Sequence, residues 1–301
     1  MSDAQQVVVV GVDGSGSDSA ALVWAADTAH RYKVPLRIVH AVEALSMGST
    51  AVEMATPTPE VTEALRTVGV SPGVADQAAE RVRDRHPDLP VEVVEALGAA
   101  SALLHAQQDE AMLLVVGRGR KGTVDQILMG TTSMATVMHA RCPVAVIDPE
   151  VKNDVEPKGV VMVAVDGGRD SERACQTAFL AADRRGAKVV CLNVWYIEVV
   201  NGYVVTEPDS PEWRAIEARQ ARRIEAVIAA ARQAYPDVPV EIEILHGPSS
   251  RTILERTPDA DVLVMGTRGR GGFVGKLLGS TTQKVLQAAR CPVVVVRIAG
   301  D

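Results

Sequence analysis

The stretch VVVVGVDGSGSDS at residues 7–19 returns as VVMVAVDGGRDSE at residues 160–172, which sets Asp13 on Asp166 at a spacing of 153 residues (13 to 166). His40 and Asn193 keep that spacing. From HPDLPVEV (86–93) against YPDVPVEI (235–242) onward the spacing is 149 residues (87 to 236). Gly98 then falls on Gly247, Gly117 on Gly266, Gly130 on Gly279, and ARCPV at 140–144 on ARCPV at 289–293. The change of spacing lies wholly between His40 and His86. A chain of 301 residues repeated in this way is two copies of one unit, each able to bury its own core. The join DPEVKNDVEPKG (148–159) is polar and bracketed by Pro149 and Pro157, as a linker is. The reading is therefore one unit at 1–149, a linker at 150–158 and a second unit at 159–301.

Each unit alternates short β-branched runs with helical patterns. In the second half the runs are GVVMVAV, KVVCLNV, VEIEIL, DVLVMG and CPVVVVRI. Continuous Val/Ile runs suit strands covered on both faces, hence a parallel sheet between helix layers. The segment SPEWRAIEARQARRIEAVIAAARQAYP opens with Ser210 as N-cap and Pro211 at the first helical position. Ile216, Ile224, Val227 and Ile228 follow at helical spacing. Its counterpart starts at TPE (58–60), but VGVSPG (68–73) interrupts it, which predicts a broken helix or irregular connection. The fold class expected is α/β: two tandem doubly wound, Rossmann-like domains, each with a five-stranded parallel sheet joined by right-handed crossovers.

Composition removes several function classes. Aromatic residues make up 3%, too few to supply the stacking platforms of single-stranded nucleic-acid binders. A formal charge of −7 argues against a phosphate backbone as partner, so no nucleic acid is expected. No apolar run is long enough to span a bilayer, and MSDAQQVVVVGVDG lacks the basic and long apolar regions of a signal peptide. Cytoplasmic residence and no membrane role are the expectation. Cys142, Cys175, Cys191 and Cys291 form no C-x-x-C pair and read as buried free thiols.

In a doubly wound sheet the ligand crevice lies beyond the carboxyl ends of the strands, where strand order reverses. Three segments of each unit reach that edge. The first strand ends in Gly11-Val12-Asp13 or Ala164-Val165-Asp166, and the second in His40-Ala41 or Asn193-Val194. The fourth opens into a glycine-rich loop. In GTRGRGGFVGKLLGST that loop runs Gly266, Thr267, Arg268, Gly269, Arg270 and on to Gly279, Ser280 and Thr281, where a helix begins. Glycines let backbone N–H groups approach an oxyanion, the helix start adds its free N–H groups and dipole, and arginines add charge. The chemistry suits a di- or triphosphate. The loop lacks the Lys-Ser/Thr pair of a Walker A motif. GRGRKG (117–122) spells the dinucleotide fingerprint G-x-G-x-x-G, but after the fourth strand instead of the first.

The sequence resembles the universal stress proteins in their tandem two-domain form, most specifically through G-x-x-G-x(9)-G-[ST], which Gly266, Gly269, Gly279 and Ser280 match. The resemblance implies ATP bound between the strand ends; Mg²⁺ would come only as company for the triphosphate. Asp166 would approach adenine or ribose, Val194 would line the adenine pocket, and the loop with Ser280 would hold the phosphates. It also implies a regulatory role in stress or dormancy with slow hydrolysis at most, and homodimers built through the last strands. The first unit departs from the pattern. Gly117, Gly130 and Thr131 match, but Arg120 stands at the second glycine and Gly119 one residue earlier, beside Arg118. Either Arg120 is strained in a φ > 0 position, or Gly119 takes the unusual torsion and Arg120 faces the phosphates.

Other readings stand beside this one. Asp13 and Asp166 could cap a turn or the next helix. His40, facing Asn193 in the alignment, reads as a structural histidine, and Trp24, Trp195 and Trp213 as packing residues. DGGRDS (166–171) echoes the S-G-G-x-D-S loop of adenylating ATP pyrophosphatases, with Asp166 in place of the leading serine. A scaffold with vestigial sites, acting through an unknown regulatory protein partner, is the reading from a different class.

Overall fold

The computed structural model describes residues 6–16, 19–42, 73–119, 129–152, 155–168, 170–196, 199–200, 202–204, 207–267 and 278–297. The chain divides into two compact units between Asn153 and Asp154, inside the expected linker.

In the first unit the order is β1 (Val7–Val12), α1 (Ser19–Tyr32), β2 (Leu36–Val42), α2 (Val74–Arg85), β3 (Val91–Leu97), α3 (Ala100–Ala106), β4 (Ala111–Gly117), α4 (Thr131–His139) and β5 (Val144–Ile147). The strands pair in parallel in the order β3-β2-β1-β4-β5. In the second unit β6 (Val160–Ala164), α5 (Ser171–Asp183), β7 (Lys188–Trp195), α6 (Pro211–Ala234), β10 (Val240–His246), α7 (Ser249–Arg256), β11 (Val262–Gly266), α8 (Ser280–Ala288) and β12 (Val293–Val296) repeat the plan. Its parallel order is β10-β7-β6-β11-β12. A two-stranded antiparallel hairpin, β8 (Val199–Val200) with β9 (Tyr203–Val204), precedes α6.

The central strands are buried from end to end, as double coverage requires: Val7 to Val10, and Val161 to Val163, are at most 1% exposed. Helix α1 lays Ala21, Ala25, Ala26 and Ala29 against its sheet, and these small side chains let helix and strands approach closely. Helix α6 starts where the sequence reading puts it. Ser210 Oγ accepts from the Trp213 N–H at 3.1 Å with Pro211 behind it, and Trp213, Ile216, Ile224 and Ile228 are buried at helical spacing. Val227 is only half-buried. All four cysteines are free and buried, and Trp24, Trp195 and Trp213 are packed inside. The hairpin is an addition to the expected five strands. Its signal is Asn201-Gly202 between β-branched and aromatic neighbours, with Gly202 at φ 82°. The predicted interruption at 68–73 falls almost wholly outside the described residues, the exception being Gly73 at φ 131° immediately before α2.

Candidate functional site

Strand order reverses at β1 in the first unit and at β6 in the second, so the candidate site of each lies at the carboxyl ends of β1 and β4, or of β6 and β11. The turn after the central strand is built alike in both. Asp13 Oδ1 accepts from the Ser15 N–H at 2.8 Å, with Gly14 at φ 73°. Asp166 Oδ1 accepts from the Gly168 N–H at 2.8 Å and the Ser171 hydroxyl at 3.1 Å, with Gly167 at φ 76°. One carboxylate oxygen thus shapes the turn in each unit.

His40 and Asn193 do matching work from the second strand. His40 Nδ1 donates to the Val12 carbonyl at 2.9 Å and Asn193 Nδ2 to the Val165 carbonyl at 2.7 Å. A carbonyl can only accept, so the proton of His40 sits on Nδ1. The side chain anchors the residue just before each aspartate, which is the structural role expected of His40. Ala41 and Val194 are half-buried next to these anchors, toward the strand ends. Gly11 stands on the face covered by a helix, where a Cβ would lie 3.3 Å from Leu104 of α3, and Ala164, its counterpart in the repeat, is half-buried.

The glycine-rich loop is closed at its neck by the same three bonds in each unit. Arg118 N–H donates to Ile147 and Thr267 N–H to Val296, at 2.7 and 3.0 Å. Gly130 N–H donates to the Arg118 carbonyl and Gly279 N–H to the Thr267 carbonyl, both at 2.8 Å. Ser133 Oγ donates to the Gly117 carbonyl at 2.6 Å, and Thr282 Oγ1 to the Gly266 carbonyl at 3.0 Å. These bonds join the two ends of the loop, and Gly130 or Gly279 leads directly into α4 or α8. Neither Gly130 nor Gly279 caps its helix with a side chain, so the first-turn N–H groups and positive dipole end face outward beside exposed Thr131 and Ser280. Thr281, one residue on, is half-buried. Such a terminus receives an oxyanion.

Two of the expected phosphate contacts need correction at the level of the side chain. Arg118 is 1% exposed and its guanidinium pairs inside the unit with Asp148, so it offers the crevice only backbone. Thr267, at 2%, donates its hydroxyl to Asp170 Oδ2 at 2.8 Å. The sequence could not assign these partners because they come from the strand after the loop in one unit and the first turn in the other. Gly119 sits at φ 111°, so in the first loop this glycine does take the unusual torsion. Arg120, Arg268, Gly269 and Arg270 lie outside the described residues. Ser133 and Thr282, which the sequence reading passed over, align at the repeat spacing, and that match was the available signal. Among the described residues no group of three or more His, Cys, Asp or Glu could hold a metal ion, and no helix is long and apolar enough to cross a membrane.

Fold and edge together define a tandem doubly wound α/β protein with one aspartate turn and one loop neck at the carboxyl edge of each unit. The sequence model of the universal stress protein family matches residues 5–148 and again 159–297. The chain belongs to the universal stress protein family. It is 32% identical over 301 residues to universal stress protein Rv2005c of Mycobacterium tuberculosis, covering 97% of each chain. With universal stress protein Rv2623 of the same species it shares 31% over 297 residues, 96% of each. The crystal structure of a universal stress protein from Archaeoglobus fulgidus has the same fold, with a TM-score of 0.66 at 20% identity over 97% of this chain and 98% of that one.

Proposed function

We propose that this chain binds ATP at the carboxyl edge and acts as a nucleotide-dependent regulator in stress or dormancy, with slow hydrolysis at most. The observation that carries the reading is the repeated neck: three matched hydrogen bonds in each unit lead into an uncapped helix start after the strand that neighbours the one ending in the aspartate turn. The fit is to the phosphates first. Backbone N–H groups of the loop and of α4 or α8, with the Thr131 or Ser280 hydroxyl, would hold them, while Asp13 or Asp166 and Ala41 or Val194 stand where the sugar and base would lie. Mg²⁺ would arrive on the triphosphate and be held mainly by it. Homodimers through the last strands and a regulatory protein partner belong to the same proposal, as does a cytoplasmic setting.

Denaturing protein purified without added nucleotide, then identifying and counting what it releases, tests the reading. Two adenine nucleotides per chain are expected if both sites bind, and one if only the second does. Release of none, together with silent calorimetry on added ATP, overturns it and leaves the interaction scaffold.

A further inference from the structure

The turn after the central strand touches a residue that the repeat makes different in the two units. A Cβ placed on Gly167 would lie 2.5 Å from Arg223 Cδ, 3.2 Å from its Cγ and 3.3 Å from its Nε. In the first unit a Cβ on Gly14 would lie 2.9 Å from Val74 Cγ2 and 3.1 Å from Cγ1. Gly14 aligns with Gly167 at the first repeat spacing, and Val74 with Arg223 at the second. It is one contact, a side chain of the second long helix lying across the Asp-Gly turn, made by valine in one unit and arginine in the other.

The arginine is set for more than packing. Its stem fills the place of the missing Cβ, so the guanidinium is carried to the turn that Asp166 shapes. It is half-buried, and among the described residues no carboxylate pairs with it. Partial burial without an ion pair leaves a cation that interacts strongly with an incoming anion. Helix α6 begins at Pro211, twelve residues before Arg223, so about 18 Å of helix runs on past the level of the turn. Its Trp213 packs there on Trp195 and His246, at ring-centroid distances of 4.5 and 4.7 Å. The helix that holds Arg223 is therefore fixed at the carboxyl edge. In the first unit the corresponding helix begins at Val74 itself.

We infer that Arg223, lying over the turn beside which the sugar would stand, reads the sugar-linked phosphate at the second site and that Val74 withholds this charge from the first, so the two sites differ in the ligand charge they favour. The inference rests on the nucleotide reading above. Titration of the full chain with adenosine, AMP, ADP and ATP, at low and high salt, tests it. In Arg223→Val, which copies the first unit, about a ten-fold loss is expected for the phosphorylated ligands at one site, shrinking at high salt, with adenosine unchanged. Arg223→Lys should retain part of the effect, and Val74→Arg should tighten the phosphorylated ligands at the first site. Wild-type binding that Arg223→Val leaves intact for all four ligands overturns the inference alone and makes Arg223 a packing residue. Equal weakening of adenosine and ATP also overturns it, because then the stem shapes the pocket and the charge is idle. If the wild-type chain binds none of the four, the nucleotide reading falls and this inference with it.

Discussion

Gly167 combines two restrictions that separate cleanly by mutation. Its φ of 76° disfavours any side chain, and an added Cβ would collide with Arg223. Gly167→Ala is expected to destabilise the second unit by roughly 1–3 kcal/mol, from backbone strain and crowding together. Adding Arg223→Ala should return the steric part and leave the torsional part, about 1 kcal/mol. Denaturant midpoints around this double-mutant cycle measure the split, and additive effects would mean that the arginine does not crowd the glycine. The glycine was legible in the sequence, since DG follows the first strand in both copies. Its partner was not, because Arg223 and Gly167 are brought together by packing between segments on either side of the change in repeat spacing. The same limit hid Asp148 behind Arg118 and Asp170 behind Thr267. Periodicity and spacing reveal positions; they do not say which buried polar groups will satisfy each other.

Elements were read more fully than contacts, because caps and hydrophobic period act locally. Ser210 and Pro211 start α6 where the sequence puts it, whereas the hairpin at 199–204 was missed although Asn-Gly is a strong turn signal. One helix pair carries a consequence that composition gives no hint of. On α3, His105 stands edge-on to His139 of α4 at 6.0 Å, and its Nε2 is buried without a hydrogen bond. Burial pushes the His105 pKa below its ordinary value and the neighbouring His139 adds to this, against the opposing hydrogen bonds to the Thr136 and Ala135 backbone. The folded state then binds fewer protons than the unfolded one, so stability is full above the unfolded value of 6.5 and falls as pH drops below it. Thermal melts at pH 7.5 and 5.5 should show the first unit losing stability on acidification. His105→Leu, which installs the residue found at the matching position 254, should flatten that dependence. Asp27 acts in a separate, lower window. Burial would raise its carboxyl, but hydrogen bonds from Arg85 and His86 outweigh this and hold it below 3.8, so its contribution is lost only in stronger acid. An unchanged slope in His105→Leu between pH 7.5 and 5.5 would assign the effect elsewhere.

At the scale of the molecule the repeat made the architecture legible: matched strands, glycines and aspartates gave two units and the edge of each that carries the candidate site. What it could not give is inequality between them, since the two units share a backbone plan and differ in which side chains are charged. The cysteines offer a way to read that inequality. The first unit holds Cys142 alone, and the second holds Cys175, Cys191 and Cys291, all buried. Burial raises the Cys175 thiol, with Cys191 beside it adding to the effect, and pushes Cys191 up to about 12. A thiol must reach solvent and ionise before it reacts. The native chain is therefore expected to show no fast reaction with a thiol-specific dye, and the chain in denaturant to show four equivalents. At intermediate denaturant, opening of the first unit exposes one thiol and opening of the second exposes three, so the amplitude identifies the unit. A ligand bound only to the folded state protects by mass action, about 2.7 kcal/mol at a hundred-fold excess over its dissociation constant. ATP should shift the three-thiol phase to higher denaturant, and the one-thiol phase only if the first site also binds. Arg223→Val should shrink the shift of the three-thiol phase and leave the other alone. Rapid labelling of the native chain would contradict the burial of the thiols, and ATP protection confined to the one-thiol phase would put the working site in the first unit.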